Sequence, residues 1–185
     1  MIINLKIDSQ LELRSARPEH AQAFADLVVT NHDSLRKYLP AVTQVDSLEA
    51  AREHMTHCMK EAEALELLEV HIFFENQLCG AIRLHSFAHH DQKVTLGYLI
   101  DTVHQGKGLV GRSARAMIDF AFNDLNLNRI ELRCVPENQA SVKVAERLGF
   151  IQEGHLRQAE MLDHGLVDHY VYSLLKSDPR PQPKP

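Results

Sequence analysis

Val103 to Arg112 reads "VHQGKGLVGR", and three of the chain's eight glycines fall within six residues of it, at 106, 108 and 111. Upstream, "VTLGYLID" (94–101) is almost continuously apolar, as a strand buried on both faces is. Downstream, "LVGRSARAMIDFAFNDL" (109–125) carries Val110, Ala114, Met117, Ile118, Ala121, Phe122 and Leu125 at helical spacing. Arg112, Arg115, Asp119 and Asn123 lie on the opposite side. The segment is therefore a strand, a glycine turn and a helix. The first N–H groups of a helix have no partner within it and sit at the positive end of its dipole. Glycines let an anion reach them, so this is an arrangement that binds phosphate.

Two familiar phosphate loops can be compared with it. GxxxxGK[ST] does not occur in the chain. Gly106 to Gly111 does match GxGxxG in letters, with Asp124 and Glu131 about twenty residues on. It does not follow the chain's first strand, however, and no repeating βαβ series surrounds it, so a dinucleotide site is the lesser alternative. A tight turn without a ligand is the other.

Working outward, "LELR" (11–14) alternates like a half-buried strand. Pro18 and Glu19 open a helix that runs to about Val29, and "HDSLRKYL" is a short helical piece. Asp46 and Glu49 have capping-box spacing ahead of the helix "AAREHMTHCMKEAEAL". "LLEVHIFFE" and "LCGAIRLHSF" form a hairpin about a turn at "NQ". "NRIELRCV" is a further strand, and "ENQASVKVAERLGF" is a helix that begins near Asn138 and is capped by Gly149. Strands at about Ile151–Arg157 and over "DHYVYSLL" complete the plan. The expectation is one mixed α/β domain, residues 1–176, followed by a disordered proline-rich tail, 177–185.

The 185 residues suffice for a core without cross-links. A net charge of −5 argues against a nucleic-acid partner. The apolar runs are too short to span a bilayer, and "MIINLKIDSQ" does not read as a secretory signal. Three cysteines and no CxxC predict the reducing cytoplasm. Among twelve histidines, His54 and His57 with Cys58 share a helix face, and His89, His90 and His164 beside Asp163 are scattered. None has the spacing of a defined metal motif, so no metal is expected.

Gln105-Gly106-Lys107-Gly108-Leu109 resembles the acyl-CoA signature Q/R-x-x-G-x-G/A of the GCN5-related N-acetyltransferase (GNAT) superfamily. "ENQASVKVAERLGF" resembles the second element of that family, and the order of elements from Leu11 to Leu175 follows its plan. "NQAS", "QAE" and "DHYVYSLL" resemble ribosomal-protein N-terminal acetyltransferases of the RimL and RimJ type. One departure is Val110, which stands at the last Gly/Ala position of the signature. A β-branched residue there narrows the loop geometry without removing the N–H.

The resemblance implies a mixed, mostly antiparallel sheet flanked by helices, with a splayed central strand pair. It implies acetyl-CoA as cosubstrate, its pyrophosphate on Gln105, Gly106, Lys107, Gly108, Leu109 and Val110, with Gly111 and Arg112 nearby. Tyr98, Leu99 and Ile100 would flank the pantetheine, with the N–H near Leu99 as oxyanion donor. Asn138 would cap its helix and face the pantetheine. Ser141 would assist the departing thiolate, and Glu160 would be the base, with Glu69, Asp163 and Asp168 as other carboxylates. The implied acceptor is a protein N-terminus, a ribosomal protein's serine or alanine above all, reached by direct attack on the thioester, and the implied assembly is a homodimer. A small amine such as a polyamine, an antibiotic or a toxin is the alternative acceptor, and a module that only senses acetyl-CoA is the alternative to an enzyme. The cysteines read as core thiols.

Overall fold

The computed structural model describes residues 1–181. Eight strands form one sheet: β1 Asn4–Lys6, β2 Leu11–Ser15, β3 Leu67–Phe74, β4 Gln77–Ala88, β5 Lys93–Ile100, β6 Arg129–Cys134, β7 Ile151–Leu162 and β8 Gly165–Leu175. Their order is β1-β2-β3-β4-β5-β6-β8-β7. Every neighbouring pair is antiparallel except β5–β6. The helices are α1 Ala21–Thr30, α2 His32–Arg36, α3 Leu48–Ala64, α4 Leu109–Asn123 and α5 Gln139–Leu148. The sequence reading of a mixed, mostly antiparallel sheet flanked by helices holds.

Two cores lie on opposite faces. Leu96 of β5, Ile82 and Leu84 of β4, Ile130 and Leu132 of β6 and Tyr172 of β8 meet Met117, Ile118 and Phe122 of α4. On the other face Phe24 and Val28 of α1 pack with Met55 and Cys58 of α3 over Leu67, Ala81 and Leu99. The α4 stripe expected from 3.6-residue spacing is the buried face of that helix. Each large apolar side chain so buried contributes roughly 1.5–3 kcal/mol.

Local chemistry sets the ends. Asn138 Oδ1 accepts from Ser141 N–H at 3.2 Å and starts α5, and Gly149 ends it at φ 88°. The cap of α3 is Ser47, whose Oγ accepts from Ala50 N–H at 3.2 Å, rather than Asp46. A hydroxyl one residue nearer the first turn does the capping. The β3–β4 turn falls on Glu75 and Asn76, both at positive φ, one residue before the expected "NQ". Strand β1 is not evident from the sequence because its three residues, although they alternate, are too few to mark a strand. Ser177 to Pro181 lie in the described region. Arg180 pairs with Asp119 of α4 and lies 5.7 Å over the Phe122 ring, and Pro181 lies against Gly149. The rest of the tail read as disordered, residues 182–185, is outside the described residues.

The feature that positions the site is the contact between β5 and β6. It covers only Lys93–Thr95 against Arg129–Glu131. Beyond Thr95 the two strands diverge while β5 remains paired with β4 up to Ile100. A gap therefore opens in the sheet, directly before the glycine turn and α4.

Candidate active site

At the turn, Gly106 and Gly108 have φ of 75° and 71°, a region that L side chains enter only with strain. Gly108 is the N-cap of α4 and offers no side chain. A Cβ at Gly106, Gly108 or Gly111 would meet no atom within 4 Å, so the space above the turn is open. The first helical hydrogen bond runs from Arg112 N–H to Gly108 O at 3.1 Å. Gln105 N–H is spent on Thr102 O. From Gly106 to Gly111, six consecutive N–H groups have no backbone acceptor among the described residues. Such a run is a nest for an anion with several oxygens. Val110 keeps its N–H in this run while its side chain is buried. Leu109 is buried too, and Gln105, Lys107 and Arg112 are exposed. Arg112 is paired with Asp8 and Lys107 lies 5.9 Å over the Phe74 ring, so neither cation is needed to close the turn.

The gap between β5 and β6 meets the turn at its open end. Asp101 N–H donates to Cys79 O at 2.8 Å, and the β4–β5 register then turns Leu99 toward Ala81 of β4. Leu99 O lies against Gly80, where a Cβ would stand only 2.5 Å away. The N–H of Leu99, expected as the oxyanion donor, therefore faces β4. The backbone groups that face the gap belong to Leu96, Tyr98 and Ile100, because successive residues of a strand point to alternate neighbours. The correction is one residue and has a plain cause: which parity pairs with β4 depends on the Asp101–Cys79 bond.

The side chains at the gap converge. The Tyr98 hydroxyl is buried and has no hydrogen-bond partner among the described residues. Burial pushes its pKa up to about 12, opposed by the Ser141 side chain beside it. Cys134, at the end of β6, is close enough to add to that rise, and its own thiol is pushed up to about 11 by burial. Ser141 is half-buried in the first turn of α5, and Asn138 spends Oδ1 on capping, which leaves its amide nitrogen uncommitted. The structure thus brings Tyr98, Cys134, Asn138 and Ser141 together at one end of the gap.

Glu160 is not in that cluster. It is half-exposed on β7, opposite Val167 on β8, in a ribbon that extends past the end of β6 at Cys134. His169 Nε2 lies 3.0 Å from its Oε2. The ribbon is anchored at its tip by Val135, Leu162 and Val167 around Tyr38, and by the Arg36–Asp163 ion pair. Of the other carboxylates, Asp163 is held by Arg36. Asp168 accepts from Gln158 N–H at 2.8 Å and from His155 at 2.7 Å, which lower its pKa in that order. Glu69 is wholly buried.

Sequence reasoning missed what surrounds Glu69. Arg83 Nε and Nη2 donate to its Oε2 at 2.9 and 2.6 Å. Its Oε1 lies 2.8 Å from His54 Nε2 and 3.3 Å from His71 Nε2, and His71 Nδ1 is 3.0 Å from His20 Nδ1. Burial alone would raise the carboxyl pKa, but the His54 and His71 hydrogen bonds and the Arg83 charge hold it well below the usual carboxylate range. His54, Cys58 and Glu69 offer ligand atoms within 4.8 Å of one another, the one such group among the described residues. His57, the third member suggested by helix spacing, points instead toward Glu61 at 3.8 Å. No helix among the described residues is long and apolar enough to cross a membrane.

A sheet split at its one parallel pair, with an open anion nest at the head of the split, is the framework of an acyltransferase that uses a CoA thioester. The comparisons with known proteins carry this to a family. Residues 10–151 match the model of the acetyltransferase (GNAT) domain. YdaF of Bacillus subtilis, provisionally assigned as a ribosomal N-acetyltransferase, is 30% identical over 94% of this chain and 95% of its own. The ribosomal-protein-serine acetyltransferase of Escherichia coli is 28% identical over 94% of this chain and 97% of its own. A solved structure of RimL, a ribosomal α-N-protein acetyltransferase, superposes with a TM-score of 0.90 at 27% identity, over 94% of this chain and 98% of that one. It holds coenzyme A in disulfide linkage to that protein's Cys134. The chain belongs to the GNAT acetyltransferase family and is an N-acetyltransferase.

Proposed function

We propose that the chain transfers the acetyl group of acetyl-CoA to the N-terminal α-amine of a protein, with a ribosomal protein that begins with serine or alanine as the favoured acceptor. The observation that carries the cosubstrate is the run of free N–H groups from Gly106 to Gly111 at the head of the open gap. Acetyl-CoA supplies a diphosphate for that run, an amide-bearing arm for the gap and a thioester for the chemistry. Support for the acceptor comes from the relatives that act on ribosomal proteins and from RimL with its bound coenzyme A.

In this reading the N–H groups of Gly106 to Gly111 bind the diphosphate, with Gln105 and Arg112 at the rim. The gap-facing backbone of Tyr98 and Ile100 pairs with the pantetheine amides and offers the donor for the thioester oxygen. Leu99 holds β5 to β4 and keeps that edge in place. Asn138 turns its free amide toward the arm. Ser141 gives a proton or hydrogen bond to the departing sulfur. Cys134 of this chain stands beside Tyr98 at the end of the gap where this reading puts the sulfur.

An α-amine, with pKa near 8, costs only about 1 kcal/mol to deprotonate at pH 7, against about 4–5 kcal/mol for a lysine. A modest base suffices, and Glu160 with His169 is the pair assigned to it, acting through water. We assign the functional unit as a homodimer. Strand β7 supports this, as a twelve-residue sheet edge that exposes Ile151, Leu156 and Met161.

The test is coenzyme A release from acetyl-CoA across N-terminal peptides, polyamines and aminoglycosides, with thermal stability measured beside it. Acetyl-CoA raises the melting temperature and NAD does not; equal shifts reject the acetyl-CoA site. Turnover on peptides supports the acceptor assignment, and turnover confined to polyamines or aminoglycosides rejects it. A melting shift with no turnover on any amine leaves a sensing module instead.

A further inference from the structure

We propose that Arg83, fixed from beneath by Glu69, reads an acidic side chain of the acceptor, so that the preferred acceptors are N-termini followed within a few residues by aspartate or glutamate. The inference rests on the N-terminal acceptor reading above and narrows it to a chemical class.

Register brings Arg83 to the right place. On β4 it stands between Glu69 of β3 and Gly97 of β5. It lies on the face that α1 and α3 cover over β3, and that cover does not close over it. Its side chain is 34% exposed above a carboxylate that is 1% exposed. Gly97, opposite it on β5, has no side chain, and the His85 ring lies there instead, with Nε2 3.6 Å from where a Cβ would stand.

The pairing is side-on and one-sided. Nε and Nη2 both donate to Oε2 of Glu69, and Nη1 has no acceptor among the described residues. A guanidinium has five N–H donors in a rigid plane, so this leaves its outer edge available for a second carboxylate. Glu69 cannot draw the arginine deeper, because its Oε1 is occupied by His54 and His71. The side chain is therefore held in one orientation before any ligand arrives, which removes much of the entropy cost of recognition.

A second cation shares the same floor. Arg133, near the end of β6, is 49% exposed and rests on Glu131 at 3.4 Å, itself 14% exposed. Both arginines act on His85. Burial lowers the His85 pKa most, then Arg83 and Arg133 lower it further, which ties the three to one region. In each case the guanidinium is outward and its carboxylate partner inward. Although the chain is acidic overall, with a net charge of −5, the floor offers donors to what settles on it. A polyamine would meet guanidinium groups there; an acidic peptide would meet partners.

The experiment uses the full chain, acetyl-CoA and a set of hexapeptides that begin with serine or alanine. The peptides differ only in whether one early position is Asp or Glu, Asn or Gln, or Lys. Coenzyme A release gives kcat/KM for each. The expected result is an advantage of about tenfold or more for the acidic peptide over the neutral one. Arg83→Gln brings the ratio near one, and Arg83→Lys restores part of it. Equal rates for acidic and neutral peptides in the unaltered chain overturn the proposal. So does a preference that survives Arg83→Gln. Where that variant does not fold, salt decides in the unaltered chain: the acidic advantage shrinks from about 50 to about 500 mM salt, and an advantage indifferent to salt overturns the proposal. If no peptide is turned over while acetyl-CoA still binds, the N-terminal acceptor reading itself is wrong, and the proposal falls with it.

Discussion

The Tyr98 phenol lies beside Ser141 at the end of the strand gap, buried and without a hydrogen-bond partner. A buried donor left unsatisfied is costly, and such costs concentrate where a ligand completes the site. The pair separates two kinds of contribution. Tyr98→Phe removes a hydroxyl that the fold does not use, so the melting temperature measured without acetyl-CoA stays level or rises slightly. Ser141→Ala is expected to lower kcat by about a hundredfold with little change in the KM for acetyl-CoA, because the role proposed for it is confined to the departing sulfur. An unchanged kcat would reject Ser141 as the proton donor.

Gly80 is the hinge on which the register of β5 depends. Its absent Cβ would sit 2.5 Å from Leu99 O and 3.0 Å from Ile100 Cδ1. The nearest atom is backbone, which cannot step aside without moving β5. Gly80→Ala is expected to cost about 1–3 kcal/mol in urea unfolding. It should also weaken acetyl-CoA binding measured by calorimetry, because the displaced strand is the one that lines the gap. Destabilisation with unaltered affinity would mean that β5 is not the cosubstrate's docking edge.

At the glycine turn, φ-positive Gly108 and helical Gly111 separate strain from access. Gly108→Ala forces a Cβ into a left-handed conformation, at about 1–2 kcal/mol. Gly111 is a helical residue with open space at its Cβ, so Gly111→Ala carries no such strain and instead removes a helix-interior glycine. Thermal unfolding should fall for the first and hold or rise for the second. Calorimetry with acetyl-CoA should show weakening in both, since each added methyl stands in the open space above the N–H run. If Gly111→Ala binds as tightly as the parent, the diphosphate does not sit over the first turn of α4.

Much of this is legible in the sequence. Periodicity found α4 because its buried stripe runs at helical spacing, and Asn138 and Gly149 marked the ends of α5 because their chemistry is local. What was not legible depends on pairing. In β3 the run Leu68-Glu69-Val70-His71-Ile72 alternates and puts Glu69 and His71 on one face, but alternation cannot tell that this face lies toward His54 rather than α4, and both faces are buried. Glu69 was thus read as a spare base when it is the anchor of Arg83. Which residues of β5 face the gap is not legible for a similar reason, since the side of β5 that pairs with β4 is set by a hydrogen bond across strands. The length of β7 was underestimated because its exposed residues carry no alternating pattern, and its pairing with β8 alone defines it.

Cys134 gives a direct chemical readout of where the cosubstrate's sulfur lies. Incubation with coenzyme A disulfide should yield a mixed disulfide at Cys134, with one coenzyme A thiol released for each bond formed. Mass spectrometry of the intact chain then shows one added coenzyme A. Cys58 and Cys79 are buried as well, and their thiols are likewise pushed up by burial, but they lie away from the gap. Because the Cys134 pKa stands at about 11, the thiolate is scarce at neutral pH and the exchange should quicken steadily from pH 7 to 9. Acetyl-CoA present in excess should protect. Modification at Cys58 or Cys79 in place of Cys134 would contradict the assigned position of the thioester.

His20 makes the stability of the fold depend on pH. Burial lowers its pKa to about 4, aided by His71, whose Nδ1 is 3.0 Å away. The folded value lies below the ordinary 6.5, so the fold favours the neutral ring. Its contribution is complete above about pH 6.5 and is lost as the pH falls toward 4, where the unfolded chain takes up the proton first. The slope cannot exceed about 1.4 kcal/mol per pH unit for one proton, and solvent at the half-exposed ring reduces it. Carboxylates confuse the lower part of the range, so the comparison belongs between about pH 6.5 and 5. His20→Phe keeps a ring against Phe73, whose centroid is 5.0 Å from that of His20. Urea unfolding of parent and variant should give stability curves that diverge in this window, the parent falling faster with acid. Parallel curves would mean that His20 is protonated in the folded protein as readily as in the unfolded chain.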